Sequence, residues 1–177
     1  MTNVDLVRLA GSRARLSELR GVDPVTAEVV RGGMETVCFE MAEYVSRTAT
    51  TPILNQSNER NATVLDASGR LAALSVGIPQ FMLTSTLPVR FALEFLGVEE
   101  FREGDVFVAN DPYHGGGHLP DYNVFAPVFA DAPDGTRRMV LIASIQCHHG
   151  DTGGGVPGGY NITAGDIWGE GVRWPVV

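Results

Sequence analysis

Four histidines, His114, His118, His148 and His149, sit in two glycine-rich segments, NDPYHGGGHLPD and CHHGDTGGGVPGG. Asp111, Asp121 and Asp151 lie among them. Imidazole and carboxylate side chains together suit zinc, manganese, iron or cobalt. His118 and Asp121 are three residues apart, so a tight turn lets both face one point, and His148 can supply a third ligand. Three protein ligands leave positions open for water and substrate, as a catalytic metal requires. The bland alternative is four surface-loop histidines. Neighbours at a strand end point to opposite faces, so one of His148 and His149 must turn away; His148 is taken as the ligand. His114 fits a supporting hydrogen-bond role better than a ligand role.

The glycines of the two segments, Gly115-Gly116-Gly117 and Gly153-Gly154-Gly155, allow a backbone to approach a ligand and aim its N–H groups at phosphate or carboxylate; tight loop packing is the competing explanation. The spacing matches neither the P-loop nor the dinucleotide fingerprint, and neither segment contains lysine. Cys147 directly precedes His148 and reads as a buried core thiol rather than a nucleophile.

Strands and helices must carry these loops. Asp23-Pro24 is a helix start, and Val30, Met34, Val37, Met41 and Val45 recur at helical spacing up to about Thr48. Gly32-Gly33 inside that helix suggests close approach by another backbone. Residues 62–65 and 70–74 form a hairpin around the turn Asp66-Ala67-Ser68-Gly69. Residues 84–96 read as a helix capped by Gly97. Strands are expected at 106–109, 122–129 and 139–147, the last apolar almost throughout and so central. Each histidine loop then follows a strand, so both can emerge at one end of one sheet. The class is α+β, with mixed sheets and flanking helices. Residues 1–22 are read as a mobile arm and 23–177 as the structured part. The apolar end GEGVRWPVV is read as an exposed strand, the mark of a truncated or split chain that self-associates or needs a partner.

Composition narrows the class. Apolar residues make up 44% and charged residues 19%, which suits a packed domain rather than disorder. A net charge of −8 with no basic stripe argues against nucleic acid. No apolar run approaches the ~20 residues needed to span a bilayer, and the start is not a secretory signal. Two cysteines cannot make a disulfide framework, which fits reduced thiols in the cytoplasm.

The segments NDPYHGGGHLPD, QCHHGDTGGGVPGG and DIWGEGVR, together with DASGRLAA, IPQF, GDVFVANDP and the opening helix, resemble the hydantoinase B/5-oxoprolinase family over nearly everything after Val22. The resemblance implies ATP-dependent opening of a small cyclic amide, a hydantoin or 5-oxoproline. ATP is bound by a hydantoinase A-type partner, in a homo- or hetero-oligomer. It also implies a divalent metal (manganese, zinc or iron) on His118, Asp121 and His148; beside such a centre Asp111 or His149 is the candidate to move a proton. Related acetone and acetophenone carboxylases share the pairing, which makes a carboxylase subunit the alternative. A non-catalytic piece that docks on a partner is a third. Two departures stand out. The family's members continue well beyond this chain, and NQSNERNATVLDASG differs from the ERxDFSCALFD form common in hydantoinases.

Overall fold

The structure, a computed structural model, describes residues 23–177. The arm expected at 1–22 lies outside the described residues. The chain divides into two units, 1–33 and 34–177.

In the first unit, the described residues begin helix α1, Pro24–Thr48. Asp23 caps it: its carboxylate accepts hydrogen bonds from the Thr26 backbone N–H (2.9 Å) and hydroxyl (3.0 Å). Among the described residues, a Cβ added at Gly32 or Gly33 would meet nothing within 4 Å.

The second unit is built on one five-stranded sheet in the order β2-β1-β5-β4-β3. The strands are β1 (Arg60–Asp66), β2 (Leu71–Leu74), β3 (Phe107–Ala109), β4 (Asp121–Asp131) and β5 (Arg137–His148). The α+β class is as expected. Every pairing is antiparallel, however, in place of a mixed sheet. The tight turns at Asp66–Gly69 and around Asp134-Gly135 join neighbouring strands directly, and a two- to five-residue turn allows only antiparallel pairing.

Residues paired across the ladders share a face. On one face, Ala62, Val64 and Ala73 pack against Cys38 and Ala42 of α1, with Met34, Met41, Leu141 and Ile145 around them. These buried groups are mostly small. Val37, expected in the buried stripe, is 46% exposed. Counting only large apolar residues missed the Cys38–Ala42 line, which carries the contact.

The other face holds the larger core. Leu65, Phe125 and Ile142 pack under Val89, Ala92 and Leu93 of the helix Leu87–Leu96, which also meets Phe101 and Ala109. That helix begins at Leu87 rather than at 84, because a separate short helix, Pro79–Thr84, precedes it. The end of the chain is not an unpaired strand edge. Val177 and Val108 exchange backbone hydrogen bonds (2.9 and 3.0 Å), and Val176 packs on the core. The tail therefore lies along β3 and covers its edge. No helix among the described residues is long and apolar enough to cross a membrane.

Candidate metal centre

The second face changes character along its strands. Leu65, Phe125 and Ile142 give way to the buried polar residues Thr63, Ser144 and Asn123, then to Asn61 and Gln146. It ends at the pair Asp121–His148, where β4 begins and β5 stops. Register alone thus places this carboxylate and this imidazole side by side, because cross-strand partners in an antiparallel ladder sit about 5 Å apart.

The first histidine loop brings the third residue. Asn110, fully buried, clasps it: its amide donates to Leu119 O and Val172 O (both 2.7 Å) and its carbonyl accepts from Trp174 N (2.6 Å). Gly115 turns the chain at φ 96°, with Leu87 backbone 2.6 Å from where a Cβ would be, so only glycine fits. A turn from His118 to Asp121 (Asp121 N to His118 O, 2.8 Å) then sets the two side chains toward one point.

His118, Asp121 and His148 each offer a ligand atom, all within 4.8 Å of one another. Asp121 Oδ1 lies 2.8 Å from His148 Nδ1 and 3.9 Å from His118 Nδ1. The two imidazole rings are almost parallel, 9° apart. His118 Nε2 is 3.2 Å from Gly159 O, so that nitrogen donates to the carbonyl and Nδ1 is left to face Asp121. Histidines that ligate metals are held in this way, by a backbone carbonyl on the far nitrogen. Burial would raise the Asp121 carboxyl, but the His118 and His148 imidazoles beside it, the latter at hydrogen-bond distance, outweigh it and hold the group below its usual range. The nearby Asp121 carboxylate in turn raises His118 against the opposing effect of burial. The donor set, two nitrogens and one carboxylate oxygen with a backbone-anchored imidazole, fits a divalent transition metal.

The remaining expected residues sit elsewhere. His149 turns away from His148, as strand alternation requires; its ring packs on Tyr122 (4.6 Å) and its backbone N–H donates to Pro120 O. Burial, reinforced by the nearby His148, lowers its pKa. Asp111 is in a separate cluster, its oxygens taken by Tyr113 N, His114 and Arg173. His114 is a hydrogen-bonding partner there, and Cys147 is a buried free thiol.

Three features escaped the sequence reading. Tyr160 stacks over both His118 (5.0 Å) and His148 (5.9 Å); its place after Gly158-Gly159 was the available signal. Arg173 joins Asp111 from 62 residues away, which no local pattern reveals. Asn61 Nδ2, Thr63 Oγ1, Ser85 Oγ and Gln146 Nε2 are buried without a hydrogen-bond partner among the described residues. An orphaned buried polar atom costs about 1–3 kcal/mol. Three of these four lie on the sheet face that leads to Asp121.

Comparison with known proteins agrees with this architecture. The family model described as hydantoinase B/oxoprolinase matches residues 23–177. The caprolactamase subunit beta of Pseudomonas jessenii is 33% identical over 156 residues, 88% of this chain and 26% of that protein. A crystal structure of the ATP-dependent caprolactamase from that organism superposes with a TM-score of 0.75 at 31% identity, over 89% of this chain and 26% of that one. 5-oxoprolinase 1 of Arabidopsis thaliana is 28% identical over 165 residues, 93% of this chain and 12% of that protein. Nucleotide-free acetone carboxylase shares the fold, with a TM-score of 0.75 at 23% identity over 88% of this chain and 20% of that one. The chain thus spans about a quarter or less of the length of these relatives.

Proposed function

This chain belongs to the hydantoinase B/oxoprolinase family, and from that premise we propose that residues 23–177 are part of a subunit of an ATP-dependent cyclic amide hydrolase. Its substrate would be a small ring amide such as a lactam, a hydantoin or 5-oxoproline. The observation that carries the reading is the convergence of His118, Asp121 and His148 on one point. Caprolactamase and 5-oxoprolinase among the relatives support the amide chemistry.

In this proposal His118, Asp121 and His148 hold a divalent ion: manganese, zinc or iron. A bound ion of this kind polarises a carbonyl or phosphoryl oxygen and acidifies water. Asp121 supplies the permanent negative charge, and its depressed pKa keeps it ionised at neutral pH. The Gly159 carbonyl fixes the His118 ring, so Nδ1 needs no reorientation when an ion binds. Tyr160 stacks on both imidazole rings and braces their orientation. His149, expected as a proton carrier, has its ring on Tyr122 on the opposite face of the strand end and is given no part in this centre. Asp111, whose oxygens are already occupied, holds His114 and Arg173 in place.

The phosphoryl chemistry belongs to a partner. All 13 basic residues are arginine, so no lysine is present to grip ATP phosphates in the P-loop manner. A hydantoinase A-type subunit is the proposed ATP-binding partner, in a cytoplasmic hetero-oligomer. The test is phosphate release by the full subunit with that partner. A lactam or hydantoin should stimulate it, and His118→Ala should abolish the stimulation. Phosphate release that depends on bicarbonate and a ketone, and ignores ring amides, would assign the chain to the carboxylase branch instead.

A further inference from the structure

A second cluster of charged groups lies in the same unit, outside the metal centre. Asp111 has a side chain with no solvent exposure, and its Oδ2 receives two charge-assisted contacts: His114 Nδ1 at 2.5 Å and Arg173 Nε at 2.6 Å. Its Oδ1 accepts from the Tyr113 backbone N–H at 2.9 Å. The carboxylate is therefore saturated, and burial, which would raise its pKa, is overcome by His114 and Arg173. Asp111 acts as a clamp that fixes two nitrogen-rich groups.

What the clamp leaves unused is informative. Arg173 spends only Nε on Asp111, and no other carboxylate among the described residues lies within ion-pair distance of it. Its Nη pair, the edge that binds carboxylate and phosphate bidentately, has no acceptor on the described protein. His114 spends Nδ1, which leaves Nε2 as its free nitrogen, and its ring is braced on Phe91 at 4.3 Å. Two large aromatic rings flank the guanidinium: its carbon is 5.5 Å from the centroids of both Tyr113 and Trp168. Those residues are 74% and 63% exposed, an unusual investment of apolar surface around one cation. The chain as a whole carries −8. A free guanidinium edge beside an imidazole is a local reversal of that field, and it suits an anion rather than a neutral ligand.

We infer that Arg173 and His114, clamped by Asp111 and flanked by Tyr113 and Trp168, form a binding subsite for an oxyanion, a phosphoryl or carboxylate group. The inference extends the proposed function, since ATP-coupled ring opening of an amide yields both a phosphate and a carboxylate. No covalent step is involved: the Arg173 guanidinium edge donates hydrogen bonds to the anion's oxygens, with His114 held on the same Asp111 oxygen and the Tyr113 and Trp168 rings against the guanidinium.

The test uses chelator-treated protein, so that no metal competes for the anion and its outcome is independent of the metal centre. Calorimetric titration with inorganic phosphate, and separately with acetate, tells the two sources apart. At least one should bind, at one equivalent per chain, and Arg173→Lys should weaken it 10-fold or more, since lysine keeps the charge but loses the planar fork. Circular dichroism should show this variant folded. If it is not, Trp168→Ala carries the test, with an expected loss of threefold or more. Phosphate binding alone assigns the subsite to the phosphoryl group, and acetate binding alone to the carboxyl product. No binding of either anion overturns the inference, as does binding unchanged in Arg173→Lys or lost only in His118→Ala.

Discussion

Replacing Asp121 with asparagine is the sharpest perturbation of the centre, because it keeps the shape and removes one charge. In the folded chain Asp121 Oδ1 lies 2.8 Å from His148 Nδ1 and 3.9 Å from His118 Nδ1, and its side chain is only 3% exposed. A hydrogen bond to a charged group contributes about 1.5–3 kcal/mol. For a domain of this size 1 kcal/mol corresponds to about 2–4 °C, so the metal-free variant should melt roughly 3–12 °C lower near pH 6. The pH dependence follows from the two shifts. Asp121 is depressed, so its contribution is present above the ordinary carboxylate value of 3.8 and is lost as pH falls through its lower folded value. His118 is raised, so its contribution is full below 6.5 and is lost as pH rises through its higher folded value. Both contributions overlap between about pH 4 and 6.5, which gives metal-free wild type a broad stability maximum there. Asp121→Asn should flatten that maximum. The assay is thermal melting of chelator-treated protein at half-unit pH steps. Equal melting temperatures for the two proteins across that window would refute the electrostatic reading of the cluster.

Two further outcomes follow from the packing. Burial pushes the Cys147 thiol up to about 12 and raises Cys38 as well, so neither should react with Ellman's reagent at pH 8 until the protein is denatured. Gly159 sits at φ 72°, and a Cβ there would run into the Pro120 ring. Gly159→Ala should therefore cost about 1–3 kcal/mol in melting experiments. It should also weaken metal binding roughly 10-fold, because its carbonyl orients His118.

Much of the site was legible because its determinants are local. The His118–Asp121 spacing, the strand before His148 and the alternation that sends His149 to the opposite face are all short-range, and the folded chain keeps each of them. Chain length and breaker residues also placed the strands to within one or two residues. The α1 contact was misjudged because burial there follows small residues, Cys38 and Ala42, which hydropathy underweights against Val37. The pairing of the apolar tail is not legible in its own residues, because nothing within it points to Val108, far earlier in the chain. Arg173 and Tyr160 reach their partners across loops of tens of residues, and periodicity has no purchase on such contacts.

The most direct test of the account is metal stoichiometry. Purified protein loaded with manganese or zinc and freed of excess should be measured by elemental analysis, beside His118→Ala, His148→Ala and His149→Ala. The account predicts one ion per chain in wild type and in His149→Ala, and little or none in the other two, because only His118 and His148 direct a nitrogen at Asp121. A wild type that retains no ion, or an ion lost with His149 and kept without His148, would contradict it.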